Sequence, residues 1–507
     1  MKAAEGASPY SFRDDSTASI PIMTEPTQPT PAAPPLPPKN LLILRLLSAS
    51  ACFLIAGVND ASLGPLLPHI MASFSVSHST VAIVFIPTLV GWILAALISG
   101  WLFEKVGMGG MMTFGASIQI LSCVLRCIPG NYALFASTFF FMGLGIAFQD
   151  SQTNVYVASL GDLAHRWLGL IHAMWGVGCL IGPFVATAIA NADSTKWQRF
   201  YILMVVLSCI NFIGVLVGFW EFVRIGHRGQ KQHDGKVVRE SVEDLEAKSD
   251  VPLAAINSGP ESGSQSTIEI TDVNPSTKIA HEQPQKSLIY CVQNPTVWIA
   301  SVFFLMYIGF EVALGGWVVD YLVTIRNGEL NSMGYMPMAL WAGLVVGRLS
   351  LPDITKKWGE KRLIAAYCLL SGAGLAVIWA VGIIWVVGLM LAVIGFFSGP
   401  LFATVSSISS LCSEEEKLES PLLRELWTDF QTGQQGVQVT TNLLPADLHV
   451  IGISFIFVMG QIGGALFPYI TGLISESHTV SILPPMLVAL VAATLISWVA
   501  LTWKYKP

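Results

Sequence analysis

Mostly apolar stretches of about twenty residues recur along this chain, each long enough to cross a hydrocarbon layer as a helix. They lie at roughly 41–63, 80–103, 111–129, 132–158, 168–190 and 199–222, then at 294–323, 333–351, 362–380, 382–411, 449–474 and 480–503. In lipid, backbone N–H and C=O groups must pair within a segment or a closed barrel, and runs of this length are helices. Of the 507 residues, 53% are hydrophobic and 12% charged, about half the charge of a soluble domain. The expectation is an all-α membrane protein with twelve transmembrane helices in two pseudo-symmetric six-helix bundles.

Between the runs the composition changes sharply. Residues 1–39 end in "TQPTPAAPPLPPK", whose proline density forbids a helix and predicts a disordered tail. The tail has no apolar signal-peptide core, so the first span is expected to double as an insertion signal. An N-terminal bundle at 40–222 is followed by a polar linker at 223–287, read as disordered, and a C-terminal bundle at 288–507. A polar, acidic insertion at 413–442 is either a real cytoplasmic loop or a gene-model artefact, a retained intron or mispredicted exon. Lys and Arg concentrate at one set of span ends, which places both termini and the linker in the cytoplasm. The plasma membrane is the expected location, with an endomembrane open.

The two halves echo each other. "GWILAALISGWLFEKVG" (91–107) lies over "GLVVGRLSLPDITKKWG" (343–359), matching Gly91 with Gly343 and Gly107 with Gly359. "NDASLGP" lies over "FEVALGG", matching Asp60 with Glu311 and Gly64 with Gly315. "GLGIAF" at 143 falls near "GFFSGP" at 395, and "GVGCLIG" near "FVMGQIG", with Gly178 on Gly460. Matched helical halves suit a carrier that rocks about a site between them.

The loop "GWLFEKVGMGG" resembles the signature G-x-x-x-D-R-x-G-R-R of the major facilitator superfamily. Gly100, Glu104, Lys105 and Gly107 match it, and the final basic pair is missing; Lys357 and Gly359 stand in the second copy. The resemblance implies a major facilitator fold and a gating loop on the cytoplasmic side. "GVNDASLGPLLPHI", "GLGIAFQDSQTNVYVA" and "GFEVALGGW" resemble the fucose-permease-like branch, closest to fungal members of unassigned substrate. In that branch a first-span acid, and a fourth-span acid with Asn four residues on, carry proton and sugar. Asp60, and Asp150 with Asn154, match those positions.

Carboxylates within apolar runs are costly, about 2.5–3.5 kcal/mol on insertion scales, and persist where they face a cavity, pair or take up a proton. Asp60, Asp150 and Glu311 are therefore the proton-coupling candidates, although Asp60 could instead cap near the membrane surface. Arg126 is a partner for an acid or a snorkelling charge. Candidate substrate contacts are Asn59, Gln149, Gln152 and Asn154, whose amides both donate and accept, together with His172, Trp175 and Trp317. The amides could equally bond helix to helix, and the tryptophans could be packing. Gly57, Gly64 and Pro65 are expected to loosen the first helix around Asp60.

The eight cysteines are scattered without a CxxC or Cys/His spacing, so no metal is expected. No phosphate-binding G-x-x-x-x-G-K-[ST] loop occurs, which argues against an ATP-driven pump. No nucleophile constellation points to an enzyme, and nothing is basic enough for nucleic acid. The reading is a secondary transporter of a small polar solute, a proton symporter in the sense of the resemblance, working as a monomer with no cofactor beyond a proton gradient. Efflux of a metabolite or toxic compound, and a non-transporting nutrient sensor, are the alternatives.

Overall fold

The computed structural model describes residues 38–128, 130–160, 164–223, 295–404 and 449–504. The expected tail, linker and insertion fall outside the described residues, except at 38–39 and 223. The N-terminal half holds α1 (Lys39–Phe74), α4 (Tyr132–Ala158), α5 (Ala164–Ala192) and α6 (Arg199–Gly218), with a continuous run Phe85–Cys127 between α1 and α4. That run breaks at Gly107, where φ is 71° and ψ 178°, into α2 (85–106) and α3 (108–127). The C-terminal half holds α7 (Pro295–Thr324), α8 (Pro337–Trp358), α9 (Glu360–Ala380), α10 (Ile384–Thr404), α11 (His449–His478) and α12 (Leu483–Lys504). Ten described segments are long and apolar enough to span a membrane; the broken run contributes one helix more. The twelfth, α8, carries Arg348 and Lys357 and is the most polar of the set.

An even number of spans between them puts the start of α1, the end of α6, the start of α7 and the end of α12 at one end, here the terminal end. The opposite, distal end carries the short connections between odd and even helices. The surface between the ends is apolar: Leu97 and Leu349 are 76% and 69% exposed, a feature suited to lipid rather than water. Exposed Trp358 and Trp503 lie near the terminal end and Trp385 near the distal end, as an aromatic belt requires.

The first helix is longer than its apolar run. It continues through Pro65 and Pro68 to Phe74, where Ser75 closes it in a left-handed turn. Membrane helices tolerate such prolines because neighbouring helices satisfy the freed carbonyls, and loss of the helix would strand more backbone in lipid. The expected loosening around Gly57 and Gly64 does not occur. Both glycines instead allow close approach: a side chain on Gly57 would overlap the Trp175 carbonyl of α5, and one on Gly64 the Gly315 carbonyl of α7. Small residues at such crossings are how membrane helices pack without a hydrophobic driving force between them.

The repeat is visible in these contacts. A Cβ on Gly91 would meet the Phe140 carbonyl and the Leu144 amide of α4; one on Gly343 would meet the Ala392 carbonyl and the Phe396 amide of α10. Each pair is equivalent by the sequence match. The α1–α5 pair is repeated by α7 and α11, with a shift in register: Gly178 abuts the Leu54 carbonyl, and Gly463 abuts the equivalent Leu305 carbonyl. The structural counterpart of Gly178 is thus Gly463, three residues beyond Gly460. Nearly one helical turn separates the two, so a match built on glycines slips easily from one to the other.

Gly107 and its counterpart Gly359, at φ 94°, both occupy the positive-φ region in the connections between paired helices. A Cβ there is strained by about 1–3 kcal/mol. Gly100, by contrast, is helical with open space around its Cα. Thermal unfolding in detergent should therefore show Gly107→Ala destabilised by about 1–3 kcal/mol and Gly100→Ala unchanged or stabilised by up to about 1 kcal/mol. Equal effects would mean that Gly107 is not held in this conformation.

Candidate functional site

Asp60 sits at mid-helix in α1, not near its end. Its Oδ2 accepts a hydrogen bond from Trp175 Nε1 of α5 at 3.2 Å, and its Oδ1 accepts one from Asn59 Nδ2 at 3.2 Å. Asp60 is exposed, although partners from α1 and α5 hold both of its carboxylate oxygens. The combination describes a group open to the space beside α1 and α5 rather than one buried in packing.

Asn59 links Asp60 to the N-terminal core. Its Oδ1 accepts from Arg126 Nη1 at 3.1 Å, while Arg126 Nε donates to Thr138 Oγ1 at 2.9 Å. The Arg126 guanidinium lies 3.8 Å from the Phe139 ring centroid and is 2% exposed. Arg126 therefore does not snorkel; it reaches Asp60 through Asn59.

Asp150 of α4 lines a small cleft with Cys52, Phe53, Ala56, Ile146 and Gln149, within electrostatic reach of Asp60. Asn154 donates to the Asp150 carbonyl at 3.0 Å, one turn back on the same helix, and at 3.5 Å to its carboxylate. Gln152 is nearly buried; its Nε2 bonds the neighbouring Ser151 hydroxyl and its Oε1 has no partner.

Gln149 is committed elsewhere. Its Oε1 accepts from Gln119 of α3 at 2.9 Å and from Asn211 of α6 at 3.2 Å, and its Nε2 donates to the Met112 carbonyl at 3.2 Å. Gln149→Leu leaves two buried donors without an acceptor. Bonds of this kind in membranes average about 0.6 kcal/mol each, so a loss of about 1–2 kcal/mol in thermal stability is expected, with solute affinity retained. A lost affinity at unchanged stability would assign Gln149 to the ligand instead.

From the other half, Glu311 of α7 is 3% exposed, and its Oε1 has no hydrogen-bond partner. The Tyr307 hydroxyl and the Arg348 guanidinium of α8 lie within reach of it. Arg348 stacks between Trp175, at 5.1 Å, and Phe402, at 5.0 Å, with its Nε buried and unpartnered. Trp341 of α8 meets Trp175 edge-on at 5.7 Å, and its Nε1 also lacks a partner. Trp175 is thus the hub: its N–H holds Asp60 of one half, and its ring contacts Arg348 and Trp341 of the other. His172, one turn earlier, lies edge-on to Phe53 at 4.9 Å and 5.7 Å from Phe402 across the halves.

Sequence reasoning passed over Arg348 and Trp341. Arg348 was legible as a charge inside "GLVVGRLSL", an apolar run, but stood in a stretch read for its glycine repeat. Trp317 does not join this group. It is fully buried toward the distal end, with its Nε1 bonded to the Pro468 carbonyl at 2.9 Å.

The halves close on each other at the distal end. Gly64 and Gly315, equivalent in the repeat, touch across the boundary, as equivalent residues must where a pseudo-two-fold axis passes. Beyond them His78 Nε2 lies 2.9 Å from Asp320 Oδ2, the Ser79 amide donates to Glu476 at 3.1 Å, and Asn191 donates to the Asn331 carbonyl at 2.8 Å. At the terminal end, Lys105 lies 4.0 Å over the Trp101 ring of its own helix, while Glu104 and Lys357 are exposed. Among the described residues no ion pair joins Glu104 or Lys105 to the other half. Among the described residues no group of three or more His, Cys, Asp or Glu could hold a metal.

Two matched six-helix halves around polar groups at mid-membrane define a solute carrier. The Major Facilitator Superfamily profile matches residues 49–418, and the chain belongs to that family. It is a multi-pass membrane transporter and not an enzyme. "Bypass of stop codon protein 6" of Saccharomyces cerevisiae is 25% identical over 90% of this chain and 82% of its own length. A protein of Helicobacter pylori named "Putative glucose/galactose transporter" is 23% identical over 73% of this chain and 81% of its own length. A crystal structure of the peptide transporter POT superposes with a TM-score of 0.60 at 13% identity, covering 92% of this chain and 93% of that one, a likeness of fold alone.

Proposed function

We propose that this transporter moves a small polyhydroxylated solute by alternating access, coupled to protons through Asp60. The observation that carries the reading is Asp60 itself: an exposed carboxylate at mid-helix, held by Trp175, which also contacts the opposite half. A carboxylate in such a place can exchange a proton as the cavity changes sides. The relatives' names support a sugar-like solute, and hydroxyl groups would suit the unpartnered Glu311 Oε1 acceptor and the Trp341 and Arg348 donors.

The Gly64–Gly315 contact and the bonds beyond it cover the distal side of Asp60, which favours access from the terminal end. The lysines at that end support a cytoplasmic side for it, and the plasma membrane is the reading for location. Both halves of the site belong to one chain, which makes a monomer sufficient. Asp150, one helix away, is the second proton site. Trp317 and Gln149 are left out of the ligand shell because their polar groups are already bonded.

Purified protein in proteoliposomes, screened with sugars and polyols under an imposed pH gradient, tests this. Saturable accumulation of at least one solute that collapses with the gradient is expected. Flux indifferent to the gradient removes the proton, and no flux of any solute removes the transporter reading for this class.

A further inference from the structure

His78 lies in the distal connection between α1 and α2, where the two halves meet. Its Nε2 is 2.9 Å from Asp320 Oδ2 on α7, and its ring stacks on Trp317 of α7 at 6.0 Å between centroids. The adjacent Ser79 amide donates to Glu476 Oε2 on α11 at 3.1 Å. Asp320 is 5% exposed and also accepts from the Thr324 hydroxyl at 3.3 Å, so it is fixed on its own half. The His78 ring is 24% exposed and can exchange protons with the distal solvent. Tyr132 holds the backbone of the His78 turn from behind, donating to the Thr80 and Val81 carbonyls at 2.8 and 2.9 Å.

We infer that the His78–Asp320 pair is a proton-sensitive latch on the distal gate. This rests on the alternating-access reading above. The bond crosses the boundary that must part when the distal end opens, so it exists only in the distal-closed state. A neutral imidazole gives one ordinary hydrogen bond, whereas an imidazolium gives a charge-assisted bond to Asp320 and an attraction to Glu476. Asp320 and Glu476 are the charged groups that face the ring from the helices packed against it; Trp317 and Thr324 add no charge. By linkage, whatever binds more tightly to the closed state favours it, so protons on the distal side hold the gate shut. The sign opposes the coupling step, in which distal protons drive uptake through Asp60. The latch therefore sets an acid limit to transport that the coupling site does not.

The test uses spin labels on Ser194→Cys and Ser481→Cys, one on each half at the distal end, in the full chain with its native cysteines replaced. Distances are measured in lipid nanodiscs at about pH 5.5 and about pH 8, a range that spans the ordinary histidine titration. The distal-open fraction should rise about tenfold over that range, the ratio between a charge-assisted and a neutral bond. In His78→Gln, which keeps a neutral donor, this rise should vanish; in Asp320→Asn the open fraction should be raised at the acid end. A wild-type distribution that ignores pH, or a His78→Gln protein that keeps the wild-type response, overturns the latch. Should one variant not fold, the other decides. If the distal end opens in Gly64→Leu but remains insensitive to pH, the latch fails while alternating access stands. If it never opens, both fail.

Discussion

Asp60→Asn should leave a folded protein that no longer accumulates solute against its gradient. Asparagine has nearly the volume of aspartate, and its amide oxygen can still accept from Trp175 Nε1, now at 3.2 Å from the carboxylate. What it cannot do is titrate. Uptake driven by a pH gradient should therefore fall to equilibration, with an internal-to-external ratio of unity. Exchange of labelled for unlabelled solute needs only the rocking of the halves and should continue. Accumulation at the wild-type level would show that the proton travels elsewhere, with Asp150 or Glu311 as the remaining mid-membrane acids.

Gly64→Leu should shift the balance between the two access states. A Cβ at residue 64 would overlap the Gly315 carbonyl, a backbone atom with no rotamer by which to escape. The conflict exists only while the distal ends are together. Overpacking of this kind costs about 1–3 kcal/mol, which corresponds to about a 5–150-fold loss of the closed state. Label distances across the distal end should lengthen, with alanine at the same position giving a smaller change. Gly315→Leu is a weaker probe, because a Cβ there meets the Trp341 ring of its own half. Unchanged distances in Gly64→Leu would mean that the α1–α7 contact is not part of the gate.

Much of this architecture could be read from the chain. Apolar runs marked the helices because lipid leaves the backbone no other way to satisfy itself. The repeat was legible through glycines, since close helix crossings tolerate nothing larger and so leave the same residue in both halves at Gly91 and Gly343. Where glycines repeat at near-helical spacing, the match slipped by three residues, from Gly463 to Gly460. The end of α1 was misplaced because prolines and His69 end an apolar run without ending a helix.

The site was legible in part. Acids in apolar runs stand out by their cost, which brought Asp60, Asp150 and Glu311 into view. Amides carry no such mark: Gln149 had the composition of a ligand contact but is spent on α3 and α6. The partner of Asp60 could not be chosen from sequence, because only the fold brings Trp175 beside it and turns Trp317 away. The distal pair was invisible for the same reason, with 242 residues between His78 and Asp320.

The most direct test is the reach of water to residue 60. In a chain whose other cysteines are replaced, Asp60→Cys should react with a membrane-impermeant thiol reagent applied at the terminal end. From the distal end it should react slowly, and faster when Gly64→Leu is added. A thiol at 60 that stays unreactive from both sides, or yields only to lipid-soluble reagents, would contradict a water-filled space between the halves and the carrier built around it.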